Sequence, residues 1–250
     1  MASAAEVLPV VAAAGEVLLS SGAEVTRVED TVTRIAQAYG MSEVGILAMP
    51  TGLMVSLGAD HHLTVVRRIR HRTVALDRVS AVNALSRELV ASPIPPAEAL
   101  GRIRAIGEQP GPLPPWSDVA LSGLAAAAAT MLVGGTRIDL GPALLANILV
   151  QGVQRLVGWM RFPDAIGDFM AGGTAVFCAL ALNAWVGSEF AVVVAGGIMI
   201  LLPGLAFTSS VRDAMAGDLL SAGARALEAT MKAAALAAGV ASGLYLTGRL

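Results

Sequence analysis

Residues 169–211 read FMAGGTAVFCALALNAWVGSEFAVVVAGGIMILLPGLAFTSSV and contain a single charged side chain, Glu189. A bilayer core roughly 30 Å thick needs about 20 helical residues. The uncharged runs on either side of Glu189, 169–188 and 190–211, reach that length. The second run is interrupted at Leu202-Pro203-Gly204. Proline removes a backbone hydrogen bond, and glycine weakens the helix further. The stretch therefore predicts two membrane helices, the second broken at Pro203-Gly204. Broken helices at membrane depth persist where the freed groups line a cavity or are buried in protein, and transporters often form substrate sites there. An ordinary proline kink is the other reading.

Three further uncharged runs, 119–136, 140–154 and 233–248, lie around this stretch. Tilt, a snorkelling Lys232 and an Arg155 accepted near a helix end let each of them span. The prediction is a membrane domain over 117–250 with about five helices, near 117–135, 140–158, 168–187, 190–208 and 229–248. The composition agrees. Of the 250 residues, 55 % are hydrophobic and 14 % charged, against about 25 % charged in soluble domains. Mean hydropathy is +0.69. Disorder is excluded, and the composition argues against a purely soluble protein. A net charge of −2 offers no basic footprint for nucleic acid. Cys178 is the single cysteine, which excludes an internal disulfide framework and a multi-cysteine metal site. No histidine spacing resembles a metal site, and no cofactor is implied.

The first 106 residues read differently, as an α+β domain. Residues 5–22 form a helix stopped by Gly22, and residues 24–39 a second one stopped by Gly40. Val25, Val28, Val32, Ile35 and Tyr39 recur at steps of three and four, one helical face. Val44–Met49, Leu53–Leu57 and Leu63–Arg68 are β-rich runs, with Pro50-Thr51-Gly52 as a turn between the first two. Helices return at 77–90 and 96–105. Arg67, Arg68, Arg70 and Arg72, with His61, His62 and His71, form a basic cluster. It reads as a solvated strand edge or as a contact for anionic headgroups. Four prolines and two glycines make 107–116 a linker, and Trp116 is placed as an interfacial aromatic. Glu6 and Glu16 interrupt the N-terminal apolar stretch, which has no basic leader, so the expectation is a cytoplasmic domain and no secretory signal. Arg155, Arg161, Arg212, Arg225 and Lys232 then fall inside and Arg137 and Arg249 outside, which favours N-in, C-out in the inner membrane.

Two polar features of the membrane domain stand out. Asn147, Gln151 and Arg155 recur every fourth residue, with Gln154 one step away, and so share a helix face. That face points into the bundle or a wet cavity, or else Arg155 snorkels and the amides join helices. After the break comes a small and polar segment carrying Thr208, Ser209, Ser210, Arg212, Asp213, Gly217, Asp218 and Ser221. Asp213 and Asp218 are candidate proton carriers and Arg212 a partner for a substrate carboxylate. A cytoplasmic loop helix with surface charges is the alternative. Gly239 and Gly243 form a GxxxG, a close-packing signature that Gly172-Gly173 and Gly196-Gly197 repeat.

The run Leu19-Ser20-Ser21-Gly22-Ala23-Glu24-Val25-Thr26-Arg27-Val28-Glu29 resembles the opening signature of the threonine/serine exporter family, as does Pro50-Thr51-Gly52-Leu53 before a strand. Leu202-Pro203-Gly204-Leu205-Ala206-Phe207, Arg212-Asp213 and Gly217-Asp218-Leu219-Leu220-Ser221 resemble its membrane signature. Order and spacing agree from about residue 6 to residue 248. The resemblance implies a secondary exporter of threonine and serine, or of succinate-type dicarboxylates in two-subunit relatives. It also implies that the chain corresponds to the larger half of an exporter. Since it ends at Leu250, directly after the fifth run, the expected partner is a small integral membrane subunit. A homo-oligomer is a further association. Positions carried over are Ser21, Gly22, Glu24, Arg27, Glu29, Thr51 and Gly52 in the soluble part, and Pro203, Gly204, Arg212, Asp213, Gly217 and Asp218 in the membrane part.

The leading reading is thus a gradient-coupled exporter subunit, with Asn147, Gln151, Arg155, Pro203, Gly204, Ser209, Arg212, Asp213 and Asp218 as candidate transport residues. The alternatives are a membrane-anchored enzyme and a metabolite-sensing regulatory protein acting through the soluble domain. No Gly-x-Ser-x-Gly elbow, P-loop or His-Glu-x-x-His is present, so the expectation is not an enzyme.

Overall fold

The computed structural model describes residues 2–58, 63–111 and 114–249. His61 and His62, part of the predicted basic cluster, lie outside the described residues. The chain divides into two compact units: Met1–Gly111 with Thr208–Arg225, and Pro112–Phe207 with Ala226–Leu250. The molecule is mostly helical, with one small sheet and three to four long apolar helices.

The first unit contains α1 (Ala4–Ser20), α2 (Val25–Ala38), β1 (Val44–Met49), β2 (Gly52–Leu57), β3 (Leu63–Arg68), α3 (Leu76–Ala91) and α4 (Pro96–Glu108). The strands form an antiparallel meander in the order β1-β2-β3. Met49 pairs with Gly52, so Pro50 and Thr51 alone make the hairpin loop. Alternation places Leu53, Val55 and Leu57 on the inner face, where they are buried. α1 packs on β2 and β3, and α2 on β1, while α4 lies against α1 and α3 against α2. Gly15 lets α1 approach the sheet, since a Cβ there would collide with the Leu53 side chain. Val7, Val11, Leu18, Val28, Val32 and Ile35 fill the space between. These are the apolar positions that recur at helical spacing in the sequence.

The second unit contains α5 (Pro115–Leu132), α6 (Arg137–Trp159), α7 (Asp164–Val186), α8 (Phe190–Met199), the first turn of α9 (Gly204–Met215) and most of α10 (Leu219–Leu246). By length and composition α6, α7 and α10 can each cross a bilayer. α8 and α9 qualify only together, as a broken span or a re-entrant loop interrupted over Ile200–Pro203, where the Pro203-Gly204 interruption was read. α5 is a shorter apolar helix. α6 is the hub and packs on α5, α7 and α8. The core is built from small residues such as Ala146, Ala171, Ala175 and Ala179. α7 and α10 cross backbone to backbone: a Cβ on Gly172 would strike the Leu236 carbonyl, and one on Gly239 the Phe169 carbonyl. The glycine pairs read from sequence therefore do close the helices on one another.

Large apolar side chains cover the outer faces, among them Leu124, Leu149, Phe177 and Leu227. All three tryptophans are exposed at helix ends: Trp116 at the start of α5, Trp159 at the end of α6 and Trp185 near the end of α7. That is the distribution of an interfacial aromatic belt. One end of the unit is tied by Asp139, which is 2 % exposed. Its Oδ2 accepts from the Thr136 backbone N–H and hydroxyl, both at 2.7 Å, and its Oδ1 from the Glu189 N–H at 2.6 Å. The α5–α6 and α7–α8 connections thus meet at that end, and the α6–α7 connection lies at the opposite one, roughly 34 Å along the 23-residue α6.

Candidate functional site

The two signature stretches, about 190 positions apart, come together in the first unit. The N-terminal one forms the α1–α2 corner. Gly22, at φ +84°, ends α1: the Ala23 N–H reaches the Leu18 carbonyl and the Gly22 N–H that of Leu19. The later signature ends α9 in the same way at Gly217, with φ +88° and a bond from the Asp218 N–H to the Asp213 carbonyl. Asp218 then caps α10, its Oδ1 accepting from the Ser221 N–H at 3.0 Å. The segment after the break is therefore two helices and a tight turn. α10 starts at Leu219, well before the apolar run that announced it.

Arg212 reaches from α9 to Glu24 in a charge-assisted hydrogen bond. Arg225 on α10 donates through Nη2 to the Ala23 carbonyl at 3.1 Å. Its Nε lies 3.0 Å from Asp213 Oδ2, an ion pair without hydrogen-bond alignment. The Asp213 side chain is 1 % exposed and that of Arg225 11 %. Ser210 Oγ donates to the Ala222 carbonyl at 2.8 Å, tying α9 to α10. The buried hydroxyls of Ser21 and Ser221 have no hydrogen-bond partner among the described residues.

The other candidates are dispersed. Glu29 accepts from the Ala48 N–H at 3.0 Å and so holds α2 to β1. Arg27 and Thr51 are exposed, and Gly52 begins β2. Pro203 supplies the carbonyl that opens α9, and nothing packs where a Gly204 Cβ would stand. Ser209 is half-buried in α9. Asn147 is fully buried and donates to the Gly197 carbonyl at 3.0 Å, an interhelical link between α6 and α8. Gln151 is half-buried and Arg155 exposed.

The amide that meets a cavity is Gln154. A cavity of about 420 Å³ opens in the second unit where the C-terminal end of α6, the start of α7 and α10 converge. Its polar lining is Gln154, Asp164, Asp168, Glu228 and Lys232. Val157, Phe162 and Met231 contribute apolar wall, and Gly158, Ala165 and Gly167 leave room. Asp168 is 4 % exposed. Gln154 Nε2 donates to its Oδ1 at 2.8 Å, and Lys232 Nζ stands 3.9 Å from the same oxygen. Asp164 and Asp168 are one turn apart on α7, and Glu228 and Lys232 one turn apart on α10, so each helix presents two charges on one face. That spacing, at the edge of an apolar run, was the sequence signal for the cavity. Counting charges only as helix ends passes over it.

The family model of threonine/serine exporters (ThrE) matches residues 9–247. The chain belongs to the threonine/serine exporter family. Among curated proteins it is 27 % identical over 228 residues to one named "Probable threonine/serine exporter" from Mycobacterium tuberculosis, covering 90 % of this chain and 43 % of that protein. It is also 27 % identical over 257 residues to "Threonine/serine exporter" from Corynebacterium glutamicum, covering 97 % and 52 % respectively. The chain spans about half the length of the curated relatives it matches. No solved structure matches it. Family membership accords with the helices that are long and apolar enough to cross a bilayer.

Proposed function

We propose that the chain is the larger component of a secondary exporter that moves threonine and serine out of the bacterial cytoplasm across the inner membrane. The observation that carries this reading is the cavity around Asp168 and Lys232: charges of both signs facing one space in an otherwise apolar helix unit. Such a space, apolar with a few convergent polar groups, is the usual form of a small-molecule site.

The lysine and arginine distribution supports an N-in arrangement. The chain leaves the first unit at Gly111 and re-enters it at Thr208, where Arg212 meets Glu24. A return to the same side needs an even number of crossings. α6 and α7 supply two, so α5 and the stretch 190–207 (α8, the break and the first turn of α9) either both cross or both stay. With both crossing and α10 following, there are five spans, and the residues 1–111 are cytoplasmic. The cavity, at the α6–α7 end, then faces the cytoplasm, from which an exporter loads.

Transport is coupled to an ion gradient, and the exporter is completed by a second membrane half. About half of each curated relative lies outside the matched region, and that half comes either in the same polypeptide or as a small integral membrane subunit. The Glu24–Arg212 and Ala23–Arg225 contacts support a further role for residues 1–111 in gating, because they fasten the metabolite-exposed domain to both helices that follow the break.

The test is export from loaded cells that lack their own amino-acid and dicarboxylate exporters. The chain is expressed alone and with a small membrane partner, and labelled threonine, serine and succinate are followed. Threonine and serine efflux that depends on the chain is the expected result. Correct insertion without efflux of either amino acid in any combination overturns it.

A further inference from the structure

We infer that the cavity between α6, α7 and α10 binds a free α-amino acid as its zwitterion, with Lys232 taking the α-carboxylate and Asp168 the α-ammonium group. The inference rests on the export reading and adds the site and the way the ligand lies in it.

The argument starts from charge. Four ionisable side chains line the cavity: three carboxylates, Asp164, Asp168 and Glu228, and one ammonium, Lys232. A dicarboxylate satisfies Lys232 with one end and brings its other end toward the Asp164 and Asp168 carboxylates. A ligand with one carboxylate and one ammonium meets a partner at both ends. The looseness of the Asp168–Lys232 pair admits the same ligand. At 3.9 Å the two charges are close enough to attract, yet too far apart for a hydrogen bond. Lys232, whose side chain is 40 % exposed, has room to swing away, and a zwitterion then seated between the two exchanges one ion pair for two, so neither charge is left bare. That matters for Asp168, because an uncompensated carboxylate at 4 % exposure is strongly disfavoured.

Positioning follows from Gln154 and from the glycines. The Gln154 amide holds Asp168 Oδ1 at 2.8 Å, while Oδ2 takes part in neither the amide nor the lysine contact. The Gln154 amide thus fixes a carboxylate that lines the cavity. Lys232 depends on how close α10 lies to α7. That spacing is set one and two turns further along α10 by Leu236 and Gly239, at the crossings with Gly172 and Phe169. A 420 Å³ cavity is near the small end of ligand sites, and the small residues Gly158, Ala165 and Gly167 leave space for a short polar side chain.

The experiment is equilibrium binding to the purified full chain in nanodiscs. The probes are L-threonine, L-serine, succinate, threoninol (ammonium without carboxylate) and 3-hydroxybutyrate (carboxylate without ammonium). The expected result is binding of threonine and serine, at least tenfold weaker binding of each one-charge analogue, and weaker binding still of succinate. Lys232→Gln should weaken threonine at least tenfold and leave threoninol unchanged. Asp168→Asn should weaken threonine and leave 3-hydroxybutyrate unchanged. Succinate binding as tightly as threonine, or full threonine affinity in Lys232→Gln, overturns the inference. So does wild-type chain that binds no threonine at millimolar concentration. The analogue series uses wild-type protein alone, so it decides the matter even if a variant fails to fold. Threonine efflux that persists at the wild-type rate in both variants removes this site and leaves the export reading standing. Absence of efflux with intact threonine binding removes the export reading and leaves the site.

Discussion

Two acid–base pairs, one in each unit, join neighbouring helices, and they are built to opposite ends. Asp213 and Arg225 sit at 3.0 Å with side chains 1 % and 11 % exposed, and neither lines the cavity of the second unit. Asp168 and Lys232 sit at 3.9 Å with side chains 5 % and 40 % exposed, on the wall of a 420 Å³ space. The first pair is a joint. Its arginine also holds the Ala23 carbonyl, so it fastens α10 to the α1–α2 corner. The second pair is a site, because its lysine has somewhere to turn. A charge motif of the family signature and a ligand-binding charge pair are therefore different things in this chain. The signature residues Arg212, Asp213 and Asp218 serve as an interhelical clasp, an ion pair and a helix cap.

The comparison breaks most visibly at Arg225. Arg225→Met leaves the Asp213 carboxylate buried without its cation, which costs about 3–5 kcal/mol. Thermal unfolding of the detergent-solubilised chain reads the loss, and the double variant with Asp213→Leu should recover most of it. If Arg225→Met melts like the wild type, the pair is not a structural joint.

Gly239→Leu comes next. It forces α10 away from the Phe169 carbonyl, an overpacking change of about 1–3 kcal/mol. Because it moves the α10 side of the cavity, and Lys232 with it, threonine binding should fall along with stability. Retained binding would separate the crossing from the site.

Lys232→Gln should sharpen the contrast. Its side chain is 40 % exposed and 3.9 Å from Asp168, and the Gln154 amide still holds Asp168 when the lysine is gone, so stability should change by less than about 1 kcal/mol while threonine affinity drops at least tenfold. A large fall in melting temperature would make this pair a second joint.

Ser221→Ala tests the joint from the other direction. The hydroxyl is fully buried and unpartnered, so its removal should raise stability by about 1 kcal/mol. A loss of that size would mean the hydroxyl has a partner in the working protein. The smallest effect is expected from Glu24→Gln. Arg212 is 69 % exposed, and solvent screening limits the pair to a few tenths of a kcal/mol. Its readout is transport, and a changed efflux rate with an unchanged melting temperature supports gating by residues 1–111.

Much of the fold was legible because it rests on local patterns. The strand limits of β1 and β3, the helix stops at Gly22 and Gly40 and the break at Pro203 all follow from backbone chemistry within a few residues. The start of α10 was not, since the small polar run 208–221 has no apolar period. Only the capping arrangement of Gly217 and Asp218 marks its two helices. The face carrying Asn147, Gln151 and Arg155 was legible as a face, yet its environment was not. Asn147 is enclosed by α8, Arg155 is exposed, and the neighbouring Gln154 meets the cavity.

The sequence by itself determined the family, the apolar lengths that fit a bilayer, and the punctuation of the chain by glycine and proline. Periodicity, length and φ preference act over one or two turns, so they are written in consecutive residues. The tertiary structure alone decided which charges meet. Glu24 finds Arg212 across 188 positions, and Asp168 finds Lys232 across 64. Contacts of that range are set by helix packing, where Gly172 and Gly239 bring two backbones together, and no local pattern encodes them.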